Sequence, residues 1–283
     1  MREYDIAVCG ATGIVGRKIL QVLEERKIPV GKIYLTASEK SEGTKISFGG
    51  REYTVKTLDG NSFDEPVDIA FFATDSATAL KYAPLAAENG ALVIDTTAAF
   101  RMYENVPVVI PEVNPSDAFS NSSIIANPIS PVIHSLIALK PIHENYVIKR
   151  IVYSTYQAVS ENGLRGITDL SAGVKGKSPS FYSTPIAFNC IPQTDTFMEN
   201  GYTAEEYEMI TETKKILGDE AIQVTATNVK VPVYFCDAVS INVETVKPFR
   251  MKDIFDMYFN DSDVTLVDDP AHNMYPTDRK SVV

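Results

Sequence analysis

The order of apolar and polar positions divides this chain into two differently built halves. Ile6-Ala7-Val8-Cys9 is a continuous apolar run, the pattern of a strand buried on both faces. Val15, Ile19, Val22 and Leu23 then recur at helical spacing, and Ile33-Tyr34-Leu35-Thr36 returns to strand. The alternation continues with a strand at Val67–Phe72, a helix at Ala77–Glu88 stopped by Asn89-Gly90, and strands at Leu92–Asp95 and Ile124–Ala126. Lys45–Phe48 and Tyr53–Thr57 read as a hairpin about Gly49-Gly50. Strands alternating with helices predict a doubly wound parallel sheet.

The second half has longer strands and fewer crossovers. Ile133, Leu136, Ile137 and Leu139 mark a helix face, and Ile148–Tyr156 a long strand. Residues 161–190 carry little periodicity and are rich in Gly, Ser and Pro. Thr203–Leu217 is a charged helix whose Thr203 and Glu206 stand at capping-box spacing, with Gly218 as its stop. Gln223–Val229 and Val233–Val243 alternate as half-buried strands do, and Met251–Asn260 is a last helix. The expectation is an α/β fold: a Rossmann-type doubly wound parallel sheet over residues 1–129, then an α+β domain over 130–283.

Two junctions carry candidate chemistry. The first is G-A-T-G-I-V-G, Gly10 to Gly16, between the first strand and its helix. Gly10 permits the tight turn, Gly13 lets the backbone approach a pyrophosphate, and Gly16 allows close helix–strand packing. Thr12, Ile14 and Val15 complete this predicted dinucleotide-binding turn. At the end of the second strand, Ser38, Lys40 and Ser41 suit a 2′-phosphate and favour NADP; Glu39 is a counter-signal, and a solvated loop charge is the plain alternative for Lys40. The second junction is I-I-A-N-P-I-S-P, residues 124–131, where Ser130 is predicted as the N-cap and Pro131 as the first helical residue. Ligands and nucleophiles sit at such strand-to-helix junctions, so Ser130 is also a candidate nucleophile.

Composition narrows the partners. With 26 Lys and Arg against 37 Asp and Glu, the net charge of −11 argues against nucleic acid and anionic membranes. No apolar run reaches the roughly 18 residues of a membrane span, and the N-terminus shows no signal-peptide pattern. Cys9, Cys190 and Cys236 are far apart, which suits a reducing cytoplasm without disulfides, and with three His and no close Cys/His pairing no metal site is expected.

Nine stretches resemble the aspartate-semialdehyde dehydrogenase family. They are residues 10–16, A-S-E-K-S-E-G at 37–43, A-F-R-M at 99–102, V-I-P-E-V-N at 109–114, I-I-A-N-P at 124–128, T-Y-Q-A-V-S at 155–160, F-N-C-I-P-Q-T-D at 188–195, N-G-Y-T-A-E-E at 200–206 and V-P-V at 231–233. The resemblance implies an NADP-binding Rossmann domain and a catalytic and dimerisation domain. It implies reduction of aspartyl phosphate to the semialdehyde through a cysteine thioester, serving lysine, threonine and methionine synthesis. It also implies a homodimer, or a heteromer with a paralogue.

At the family's catalytic positions this chain departs from the pattern. Ser130 stands where the resemblance places the nucleophilic cysteine, and Asp237, after Cys236, where it places the histidine base. A serine hydroxyl is a weak nucleophile without an adjacent base, and a carboxylate of ordinary pKa near ~4 is a poor base at neutral pH. Gln157, beside the nucleophile in the family, is retained, as are Arg101, which the family uses on phosphate, and the acidic substrate contact Glu205. The family's lysine is Glu208, and its arginine before V-P-V is Lys230, which keeps the charge but loses the bidentate fork. Asp75-Ser76 replaces a glycine pair near the nicotinamide, and the chain stops at Met274–Val283, where the resemblance implies a further strand and helix. The expectation is an NADP-binding pseudoenzyme. The alternatives are an oxidoreductase of altered chemistry, using Ser130 with His134 or recruiting Cys236, and a non-catalytic partner subunit of an active paralogue.

Overall fold

The computed structural model describes residues 2–277. They form two compact units: the chain up to Val109 with Pro115–Pro128, and Ile110–Asn114 with the chain from Ile129 onward.

In the first unit, β1 (Tyr4–Cys9), α1 (Ile14–Glu25) and β2 (Val30–Ala37) form the opening β-α-β unit. β3 (Lys45–Phe48) and β4 (Arg51–Thr54) make an antiparallel hairpin across Gly49 and Gly50. The predicted second hairpin strand is divided: after Thr54 the chain leaves the hairpin, and β5 (Lys56–Thr57) joins the main sheet parallel to β2. β6 (Ile69–Phe72), α2 (Ser76–Glu88), β7 (Leu92–Asp95) and β8 (Ile124–Ala126) complete a six-stranded sheet of order β5-β2-β1-β6-β7-β8. Every pairing in it is parallel. Ile6, Val8, Ala70, Phe72 and Val93 are fully buried, as strands covered on both faces require.

The second unit begins with α3 (Ser130–Tyr146) and β9 (Ile148–Gln157). A helix the sequence pattern does not show follows: α4 (Gly163–Gly173) lies inside the stretch that reads as unpatterned. Its buried face is only Gly166, Asp169 and Leu170, too few apolar positions for a period. The loop after it is folded back by Asp169, whose carboxylate accepts from the Ser180 and Tyr182 amides at 2.6 and 3.1 Å. α5 (Ala204–Leu217) has the predicted capping box, with Thr203 and Glu206 bonded reciprocally, and ends at left-handed Gly218.

β10 (Gln223–Lys230) runs parallel to β9, and β11 (Ala238–Thr245) antiparallel to it, giving the order β10-β9-β11. β11 starts five residues later than the pattern predicts, because Cys236 sits at φ +71, outside strand geometry. α6 is Met251–Phe259. α5 packs on one sheet face, over a ladder of polar rungs. Tyr153 meets Thr213, Thr155 meets Asn228, and Gln157 meets Lys230. The other face carries Arg150, Tyr156, Thr227, Ser240 and Asn242 exposed. Of the C-terminal segment Met274–Val283, residues 278–283 lie outside the described residues.

Candidate active site and dinucleotide turn

The glycine turn is built as its sequence requires. Gly10 lies at φ +88, and a Cβ there would stand 2.1 Å from the Ala73 carbonyl oxygen. A Cβ on Gly16 would stand 2.2 Å from the Gly10 oxygen, so α1 approaches β1 only because both residues lack one. Gly13 is the N-cap of α1; no side chain caps the helix, and its first turn holds no acidic residue. The leading N–H groups and the helix dipole therefore face outward as an anion site. Thr12 Oγ1 reaches Ser41 Oγ at 3.3 Å, joining this turn to the loop after β2, where Ser38 and Lys40 are exposed. Ile14 and Val15 are also exposed, at 38% and 50%. Glycine turn, open helix end and loop hydroxyls fit a dinucleotide.

Asp75 acts as the N-cap of α2, with Oδ1 accepting from the Thr78 N–H at 2.9 Å. Those bonds hold its carboxyl below its ordinary pKa. Arg101 is buried, at 6% exposure. Its Nε donates to the Asn127 carbonyl at 3.0 Å and its Nη2 to the Thr96 carbonyl at 3.3 Å, so it ties together the chain leaving β8 and β7.

The start of α3 corrects the expectation for Ser130. The N-cap is Ile129, with φ −67 and ψ 148; Ser130 is the first helical residue and Pro131 the second. The apolar Ile129 offers no capping oxygen, and its own N–H is held instead by the Glu212 carboxylate at 3.0 Å. Ser130 is exposed, and so is His134 one turn on; among the described residues no hydrogen bond joins them. Ser130 is thus neither a cap nor half of a Ser–His pair.

The strand ends of the second unit gather the other predicted residues. Lys230 and Gln157 are partners in the parallel register of β10 and β9, and both are fully buried. Lys230 Nζ donates to Gln157 Oε1 at 3.0 Å, and Gln157 Nε2 donates to Glu205 Oε1 at 2.5 Å. Lys230 Nζ also pairs with Glu161. Asp237 lies just before β11, where its Oδ1 accepts from the Ala158 N–H at 2.7 Å. Glu208 is half-buried one turn further along α5 than Glu205, and its carbonyl accepts from Thr211 at 3.1 Å.

Electrostatics here overturn a second expectation. Burial, then the neighbouring Glu161 carboxylate, pushes Asp237 up to about 6, so its carboxyl does not have an ordinary pKa. The same two causes, opposed by Lys230, push Glu205 up to about 7. Both carboxyls are proton acceptors matched to neutral pH. Glu161 itself was not among the expected site residues. A signal for it exists: it follows Gln157 in the turn off β9, and a parallel neighbour puts the end of β10 beside that turn. Cys236 is exposed, whereas Cys9 is buried and its thiol pushed up to about 12 by burial.

A parallel sheet with a glycine turn in its first crossover, followed by an α+β unit holding a buried Lys–Gln–carboxylate cluster, defines a two-domain dinucleotide-dependent oxidoreductase fold. The family model "Semialdehyde dehydrogenase, NAD binding domain" matches residues 5–121, and "Semialdehyde dehydrogenase, dimerisation domain" matches 139–283. The aspartate-semialdehyde dehydrogenase of Aquifex aeolicus is 45% identical over 282 residues, covering 96% of this chain and 83% of that protein. The Bacillus subtilis aspartate-semialdehyde dehydrogenase is 40% identical, covering 97% and 83%. The crystal structure of aspartate semialdehyde dehydrogenase II complexed with ASA from Vibrio cholerae superposes with a TM-score of 0.87 at 42% identity, covering 93% of this chain and 80% of that one. The chain belongs to the aspartate-semialdehyde dehydrogenase family, and its first unit is an NAD(P)-binding domain of that family. Among the described residues, no helix is long and apolar enough to cross a membrane, and no group of three His, Cys, Asp or Glu side chains is placed to hold a metal ion.

Proposed function

We propose that this protein binds NADP through the turn Gly10–Gly16 with Ser38, Lys40 and Ser41, dimerises through its second unit, and does not carry out the thioester reaction that the family resemblance implies. The dinucleotide supplies hydride chemistry when bound; the residues of this chain fail to supply the acyl-transfer half. The observation that carries the reading is the start of α3. Position 130 holds an exposed hydroxyl with no hydrogen-bonded base among the described residues. An alcohol without a base is not deprotonated at neutral pH, whereas a thiol at a helix N-terminus loses its proton readily. The anion-binding side is altered as well: the ammonium of Lys230 is already matched by Glu161. Exposed polar residues on the open face of β10-β9-β11 are consistent with pairing of two copies there. A heteromer with an active paralogue is the second form of the same reading, distinguished by mixing the two chains and measuring mass.

One observation favours a working oxidoreductase of different chemistry: Asp237 and Glu205, raised to about 6 and 7, are competent proton acceptors. A single pair of assays separates the readings. NADP titrated by calorimetry is expected to bind, and semialdehyde oxidation with phosphate and NADP is expected to show no turnover above buffer. Turnover at ordinary enzyme rates would overturn the proposal. Turnover that disappears in Asp237→Asn would establish the altered chemistry.

A further inference from the structure

We propose that Glu161 is a built-in carboxylate ligand of Lys230, filling a monocarboxylate site that the chain would otherwise offer to solution. This deepens the reading above, since it names what occupies the anion-binding side of that site. Its test uses neither dinucleotide nor turnover, so each can fail without the other.

The placement carries the argument. The side chain of Lys230 is 2% exposed and that of Glu161 28% exposed, so the anion lies on the solvent side of the cation and closes it off. This is unlike an exposed ion pair, which contributes little. Lys230 is otherwise held by Gln157 Oε1, whose amide nitrogen is committed to Glu205. Glu161 is also held in place by backbone. Its turn, Val159–Asn162, is fastened by Val159 N–H to the Val233 carbonyl at 2.9 Å and by Ser160 N–H to the Tyr234 carbonyl at 3.1 Å.

Removing Glu161 leaves the Lys230 ammonium with Gln157 Oε1 as its hydrogen-bond acceptor and a vacated place for one carboxylate on its solvent side, and a buried charge that loses a contacting partner favours a replacement. The remaining neighbours fix the ligand class. Glu205 and Asp237 carry or share negative charge nearby, so a monoanion such as acetate is accepted and a dianion such as phosphate is repelled.

The experiment is a titration of full-length protein with sodium acetate, and separately with inorganic phosphate, against sodium chloride at matched ionic strength. Thermal midpoint and calorimetry are the readouts. Wild type is expected to show no saturable response to acetate. Glu161→Ala is expected to bind acetate at least about tenfold more tightly than wild type and to regain thermal stability as it does so. Glu161→Gln, which keeps the volume, is expected to do the same to a smaller degree. Neither variant should prefer phosphate. Adding Lys230→Met to Glu161→Ala should abolish the gain. An acetate response equal in wild type and both Glu161 variants, or a gain that survives Lys230→Met, overturns the proposal. If Glu161→Ala does not fold alone, its recovery in acetate but not in chloride supports the proposal. The wild-type arm also stands alone, because saturable acetate binding there shows that Lys230 is already open.

Discussion

At the start of α1, the leading backbone N–H groups after Gly13 meet no capping side chain and no acidic residue in the first turn. At the start of α3, the Ile129 N–H is already held by the buried carboxylate of Glu212. The same contrast recurs between side-chain cations. Lys40, beside the dinucleotide turn, is exposed, whereas Lys230 in the second unit is buried against Glu161. One unit leaves its positive features to a ligand; the other satisfies them with its own carboxylates. Within one family fold, the NAD(P)-binding unit and the second unit are therefore under different constraints. The first is held by steric demands that only glycine meets. The second has been made self-sufficient in charge.

The largest effect should come from undoing that self-sufficiency. Lys230→Met leaves Glu161, Glu205 and Asp237 facing one another without a cation. Breaking a buried pair from one side typically costs about 3–5 kcal/mol. The loss should be greatest near pH 8 and shrink towards pH 5, as Glu205 and Asp237 take up protons. Urea unfolding at the two pH values measures this, and equal losses at both would show that Lys230 does not compensate the cluster. Gly10→Ala tests the other half. A side chain there must adopt φ +88 and meet the Ala73 oxygen at 2.1 Å. Strain of about 1–2 kcal/mol from the backbone alone, with the clash added, should bring the loss to roughly 3 kcal/mol and weaken NADP binding.

A smaller effect follows from the raised carboxyls. Glu205 titrates at about 7 in the fold against an ordinary 4.5, and Asp237 at about 6 against 3.8. In that window the native state holds protons that the unfolded chain has released. Stability therefore falls as pH rises from about 4 to about 7, and levels off above. Glu205→Gln should flatten the upper part of the fall and Asp237→Asn the lower part. Glu161→Gln should move both midpoints down, since Glu161 raises both groups. A wild-type profile that rises across this window would contradict the burial assigned to the cluster.

The parts of the molecule that were legible in the sequence are those whose cause is local. The glycine turn, the parallel strands and the capping box of α5 follow from spacing and residue type within a few positions. α4 was not legible because Asp169, a charged residue, supplies much of its buried contact through the loop it folds back. Glu161 and the raised Asp237 were not legible for a different reason. Their environment is made where the end of β9 meets the end of β10, 73 residues on, and the start of β11, and no local pattern encodes a neighbour's charge. The late start of β11 belongs between these cases, since a non-glycine residue at φ +71 in Cys236 is a tertiary constraint written on one position.

The smallest predicted effect is the one that most sharply separates the starts of α3 and α5 in the second unit. Serine before proline reads as a cap, and Ser130→Ala would then cost about 1 kcal/mol, as loss of an N-cap does. In the structure Ser130 is the first helical residue, it is exposed, and the N-terminal bond of α3 is made by Glu212. Ser130→Ala should therefore change stability by no more than about 0.5 kcal/mol. Thr203→Ala, which removes a hydroxyl bonded to the Glu206 N–H at 3.3 Å and opens a reciprocal capping box, should cost about 1–2 kcal/mol. Measured side by side by denaturant unfolding, comparable losses in the two variants would return Ser130 to the role of cap. A loss confined to Thr203→Ala leaves the hydroxyl at position 130 without a structural task. That result would turn the question to why an exposed hydroxyl, rather than a thiol, stands at the start of α3.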